Sequence, residues 1–174
     1  MKKVLFTLLA AFALTGCMGL AEIFKTAKDA IPTPKNVQVT QDENTVVLSY
    51  TLSGGFEGGD MQSSLVWSFA DAATLPESLS SLKTLLQGMT EPFCVSAILT
   101  ETYATQQDAQ DAMAEHGDPR AKQTKNKIVT DLSQDFLPSI DDPANIWTRQ
   151  EILEEANGRK SKLEKASSYL DIFG

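Results

Sequence analysis

Hydrophobic and polar positions change their spacing along this chain, and each change marks an element. Residues 4–14 are an apolar run behind Lys2 and Lys3; its 11 residues are fewer than the ~20 needed to cross a ~30 Å hydrocarbon core as a helix. Over residues 19–31 the spacing is helical. Leu20, Ile23, Phe24, Ala27 and Ile31 share a side while Lys25, Lys28 and Asp29 take others, which predicts an amphipathic helix. Pro32 and Pro34 interrupt it and read as a stiff linker. From Asn36 the period drops to two. Val37 and Val39 alternate with Gln38 and Thr40, Asp42-Glu43-Asn44 turns the chain, and residues 45–52 are rich in β-formers. After a glycine-rich connection over 53–60, residues 61–69 alternate again through Leu65, Trp67 and Phe69. A three-stranded meander is expected.

Pro76-Glu77 opens a helical run in which Leu79, Leu82, Leu85 and Leu86 share a face and Gly88 marks the end. Residues 93–103, largely apolar, read as a fourth and central strand. Residues 106–116 form an acidic helical stretch that stops at Gly117. Asp118-Pro119 supplies a cap and a first-turn proline for another helix to about Leu137, striped by Ile128, Val129, Leu132, Phe136 and Leu137; a short strand over 128–132 is the alternative. Beyond a loop at 139–146, Thr148-Arg149-Gln150-Glu151 matches a capping box, with Trp147 and Ile152 placed as a hydrophobic staple. Asn157-Gly158 is expected to end that helix, and Leu163, Ala166, Leu170 and Phe173 predict a further one. Strands first and helices later predict an α+β fold. It would be a small antiparallel sheet of about four strands, with helices on one face and a helical carboxyl end.

The apolar run closes at Leu14-Thr15-Gly16-Cys17, and this end resembles the lipobox of a bacterial lipoprotein signal peptide. Lysines ahead of the run hold the amino end in the cytoplasm. The resemblance implies that the Cys17 thiol is acylated, that residues 1–16 are removed, and that Cys17 becomes the first mature residue. Two or more chains of the palmitate class, at ~0.8 kcal/mol per buried CH2, hold a protein durably on a bilayer. In the enterobacterial members an aspartate after the cysteine favours inner-membrane retention; Met18 stands there instead, which implies transfer to the outer membrane, facing the periplasm. An ordinary secretory signal or an uncleaved anchor are the alternatives. The organisation expected is signal peptide 1–16, tether 17–35 and a single α+β domain over 36–174.

Removal of residues 1–16 leaves 158 residues and takes away Lys2 and Lys3 but no acid, so the formal charge of −8 becomes −10. An acidic domain repels phosphate backbones and anionic lipid, which argues against a nucleic acid partner and leaves anchoring to the acyl chains. With Cys17 acylated, Cys94 has no partner in the chain and reads as a small buried hydrophobe.

Candidate chemistry is sparse. His116 is the single histidine, so no two-histidine metal site exists. Its place at a helix end suits a dipole or solvent contact better than catalysis. Ser80-Ser81-Leu82-Lys83 fits the letters Ser-x-x-Lys without the companion motifs. The glycine-rich 54–60 segment lacks a following Gly-Lys-Ser/Thr. It reads as a hairpin connection, or as a contact loop presenting Phe56 as an exposed aromatic anchor. Asp108, Asp111 and Glu115 lie along one helix as a solvated acidic face or a hard-cation site, with Arg120, Lys122, Lys125 and Lys127 following as ion-pair partners. Arg159, Lys160, Lys162 and Lys165 are either the polar side of a terminal helix or a contact for acidic polymer or lipid phosphate. No cofactor is expected. The leading expectation is a non-enzymatic lipoprotein that binds another envelope component, most simply a protein, through Phe56, Lys160 and Lys162. A factor excluding phage or conjugation and a periplasmic hydrolase are the other classes.

Overall fold

A computed structural model describes residues 31–137 and 145–171, with side chains to 168. The strands β1 Thr33–Gln41, β2 Thr45–Ser53, β3 Met61–Ala70 and β4 Phe93–Thr102 form the expected meander. With β5 Ala121–Thr124 and β6 Lys127–Asp131 they make a six-stranded antiparallel sheet, order β1-β2-β3-β4-β6-β5. Period-two alternation builds the two faces. In β3, Met61, Ser63, Leu65, Trp67 and Phe69 are buried while the residues between them stay part-exposed or exposed. The register sets Trp67 between Val46 and Ala97, and Leu65 between Leu48 and Leu99.

The longer helices cover that buried face. The helix α3, Arg149–Asp171, seats Ile152 and Ala156 on Val46, Leu48, Leu65 and Trp67. The helix α2, Gln106–Glu115, seats Ala109 against Met61, Tyr103 and Ile128. A 3-10 segment, Glu77–Leu82, runs into the single turn α1, Lys83–Leu86, and closes on Phe93 through Leu82 and Leu86. (A second 3-10 turn, Ser133–Asp135, follows β6.) No described helix is long and apolar enough to cross a membrane.

The capping box is made as its spelling demands. The Thr148 N–H donates to Glu151 Oε2 at 2.8 Å, and Thr148 Oγ1 lies 3.4 Å from the Glu151 nitrogen. Trp147 and Ile152 join one core, with Trp147 edge-on to Phe136 at 5.5 Å. Arg149 then ties the helix start to the β1–β2 turn, donating to the carbonyls of Asp42 and Glu43. Asp42 organises that turn by accepting from the Asn44 and Thr45 N–H groups at 2.8 Å each.

The sequence expectation fails in four places. The sheet has six strands and not four, because the helix expected from Asp118-Pro119 is the β5–β6 hairpin. Its residues alternate: Ala121, Ile128 and Thr130 are buried, and Lys122, Lys127 and Asp131 are exposed. Lys125 turns the chain at φ 55°. The alternative of a short strand near 128–132 was the sounder reading. Second, Asn157-Gly158 does not end the helix. The Asn157 amide donates back to the Leu153 carbonyl at 2.9 Å, and the Arg159–Glu155 pair at 2.7 Å spans the glycine. Such local bonds offset the ~1 kcal/mol helix penalty of glycine. Third, Leu85 does not share the buried face; it is 46 % exposed. The 3-10 repeat aligns Leu79 with Leu82, but from Lys83 the turn is α-helical, and its wider repeat brings Leu86 rather than Leu85 over Leu82. Fourth, β1 begins at Thr33, ahead of Asn36. Pro34 is tolerated there because β1 is an edge strand. Asn36, at φ 54°, forms the bulge between the Lys35–Thr51 and Gln38–Ser49 pairs. The expected signal peptide, Cys17 and the helix over 19–31 lie in residues 1–30, outside the described residues. Most of the 139–146 loop, the Leu170 side chain and Phe173 do so too.

Candidate functional site

Opposite the two long helices, the sheet's second face is covered at its Phe93 end, where Leu82 and Leu86 close on Phe93 opposite Ala70 in the register, and is open along the rest of β1–β4 among the described residues. The strand register stacks that face into rows. Gln38, Ser49, Ser64 and Thr100 form one; Lys35, Thr51, Gln62, Thr102 and Lys127 form the next. Beside them Val47, Val66 and Ile98 make an aliphatic row. Every one of these side chains is part-exposed or exposed. The two polar rows line a shallow groove of about 330 Å³ that also reaches Asn36 at the β1 bulge. Its lining is hydroxyl and carboxamide, groups that both donate and accept hydrogen bonds. Sequence reasoning missed this surface. The signal is the serine, threonine and glutamine at alternate positions of β2 and β3.

The residues singled out from sequence lie elsewhere. Phe56 is half-buried, its ring edge-on to Tyr103 at 5.6 Å; it does not project as a free anchor. Lys162 is exposed on α3, and Lys160 lies 3.8 Å from Glu164. Among the described residues Asp108, Asp111 and Glu115 do not converge on a cation site. Asp111 accepts from Gln107 at 2.9 Å. Asp108, 8 % exposed, turns inward. Its carboxylate accepts from Thr105 Oγ1 at 2.6 Å and from the Gly58 N–H at 3.1 Å, which hold its pKa below the ordinary range. Thr105 is the N-cap of α2, so this bond set fastens the glycine-rich loop to the helix start. Arg120 pairs with Asp118 at 2.7 Å and Asp135 at 2.9 Å rather than with α2. The hydrogen bonds from Arg120 pull the Asp118 pKa down to about 2.

Gly58 is the tight point of this loop. A Cβ there would run into the Asp108 carboxylate and the Thr105 methyl. Gly58→Ala is therefore expected to destabilise the domain by about 1–3 kcal/mol. Gly117→Ala, where a Cβ meets nothing within 4 Å, should change stability far less. Urea unfolding of the two variants checks this.

His116 faces Glu101. The Asp118 N–H donates to His116 Nδ1 at 3.3 Å, which leaves Nε2 to carry the ring proton toward Glu101 Oε2, 3.8 Å away. Burial raises the Glu101 pKa, with His116 acting the other way. Ser63 Oγ is buried opposite Glu101 in the register with no hydrogen-bond partner among the described residues. Burial, with Glu101 and Tyr50 nearby, pushes the Tyr103 phenol up to about 12. Ser63, Glu101 and His116 do not form a serine–histidine–acid relay: Glu101, not the histidine, stands opposite the serine. Because the folded state holds the Glu101 proton more tightly than the unfolded chain, ionising it costs stability as pH rises through and above the carboxylate range. Glu101→Gln is expected to raise Tm at about pH 7 and to leave it nearly unchanged at about pH 3, below the carboxylate pKa of both the folded and the unfolded state. Equal or lower Tm at neutral pH would contradict this.

Cys94 is fully buried and unpaired, and burial pushes its thiol up to about 11; such a thiol is a weak nucleophile.

Comparison with known proteins bears on the other end of the chain. Residues 1–17 match the family model for the prokaryotic membrane lipoprotein lipid attachment site. The chain is a lipoprotein precursor. Such a site supports anchoring of the lipoprotein to a membrane by acyl chains, and Cys17 is the last residue of the matched segment. Neither the curated proteins nor the solved structures give a match to it.

Proposed function

We propose that this lipoprotein is non-enzymatic, stands on the outer membrane facing the periplasm, and holds another envelope component on the open face of its sheet. Met18 after the acylated cysteine supports the outer-membrane destination. The observation that carries the binding role is the part-exposed face of the sheet, open beyond its Phe93 end, while the other face is packed under two helices. Between Cys17 and Thr33 the chain spans at most about 55 Å, so the domain works close to the membrane surface. Phe56, Lys160 and Lys162 belong to the helix-covered side, away from this face, and lie outside the proposed binding surface.

Cross-linking in intact cells, followed by mass spectrometry, tests the reading. The wild-type lipoprotein should give a specific adduct that is lost in Cys17→Ser. An adduct pattern indistinguishable from that of an unrelated lipoprotein would overturn it.

A further inference from the structure

We propose that the component held on the open face is the cell-wall glycan, an extended polymer of N-acetylated amino sugars bearing carboxylate-ended peptides. This rests on the reading that the domain binds an envelope component. The rows Gln38-Ser49-Ser64-Thr100 and Thr51-Gln62-Thr102 offer hydroxyls and carboxamides, the groups that pair with sugar hydroxyls and acetamides. Across a row these groups recur every ~4.8 Å, about the length of one sugar ring in an extended chain. The aliphatic row Val47-Val66-Ile98 supplies a surface for the C–H faces of the rings.

Charge points the same way. Lys35 stands at the β1 edge, and Lys122 and Lys127 at the β5–β6 edge, all exposed. Asp131 is the one acidic strand residue on this face. A mature chain of strongly negative charge thus turns a locally basic face outward, complementary to carboxylates. The rows contain no aromatic side chain, and Leu85, the exposed large hydrophobic among the described residues, lies outside them in α1. A stable protein partner would require an apolar, aromatic centre.

The test is co-sedimentation of the full acylated lipoprotein, in detergent, with purified insoluble cell-wall sacculi. Wild type should pellet with the sacculi, less so as salt rises. Two face variants, Lys35→Glu with Lys127→Glu and separately Ser64→Asp, should each bind about tenfold more weakly. Lys160→Glu with Lys162→Glu, on α3, should bind as wild type. Circular dichroism melts establish that each variant is folded. No pelleting above a sacculus-free control, or unchanged pelleting in both face variants, overturns the glycan assignment. If a cross-linked protein is lost with the same face variants while sacculi go unbound, the ligand class is wrong and the envelope-binding role stands. If neither sacculi nor any cross-linked partner responds to the face variants, both fail.

Discussion

Replacing Trp67 with alanine is expected to destabilise the domain by about 3–5 kcal/mol, a large part of the ~5–15 kcal/mol that holds a typical domain together. Trp67 is fully buried at the centre of β3, edge-on to Phe136 at 6.0 Å and beneath Arg159, whose guanidinium carbon stands 6.0 Å from the ring centre. Ala97 lies opposite it on β4, so the space the indole leaves has a small residue beside it that cannot grow inward to fill it. Trp67→Phe should behave differently. The indole N–H is buried without a hydrogen-bond partner among the described residues, a condition that costs about 1–3 kcal/mol. Phenylalanine removes that group, which offsets much of its smaller volume, and the expected net loss is about 1 kcal/mol or less. Guanidinium unfolding of both variants decides the matter; a Trp67→Phe as damaging as Trp67→Ala would mean that the N–H is satisfied.

Cys17→Ser is expected to abolish lipid attachment outright. The hydroxyl of serine is a far poorer nucleophile than a thiolate, so thioether formation at this position stops. Labelling cells with radioactive palmitate should mark the wild-type protein and leave the variant unlabelled, and the mature form should fail to appear on gels. Each acyl chain of ordinary length adds many CH2 groups at ~0.8 kcal/mol apiece, so a chain that is nonetheless processed would pass to the soluble fraction. Palmitate retained on Cys17→Ser would place the attachment at another residue.

The parts of the fold that were legible in the sequence are those written in local chemistry. The meander followed from alternation in β2 and β3, and the start of α3 from Thr148, Glu151 and the flanking apolar pair. The parts that were not legible depend on partners distant in the chain. Residues 118–137 carry both a proline cap signal and β-branched residues; pairing of Ile128 with Glu101 and Thr130 with Leu99 on β4 settles them as strand. Asp108 read as a surface acid because its acceptor role is set by Gly58, fifty positions earlier. The Thr105-x-x-Asp108 cap was a local clue to its inward turn. The open face was hidden for a related reason: single serines and threonines in a strand are unremarkable, and only the register gathers Ser49, Ser64 and Thr100 into one row. The lipid attachment segment was readable throughout, since its chemistry is contiguous.

The most direct test of the account places a photo-cross-linking amino acid at Thr100, on the open face, or at Lys162, on α3, in otherwise wild-type cells. Adducts that form at Thr100 and not at Lys162, and that collapse on digestion of the cell wall, are the predicted result. Adducts at Lys162 with none at Thr100 would contradict the open face as the working surface of this lipoprotein.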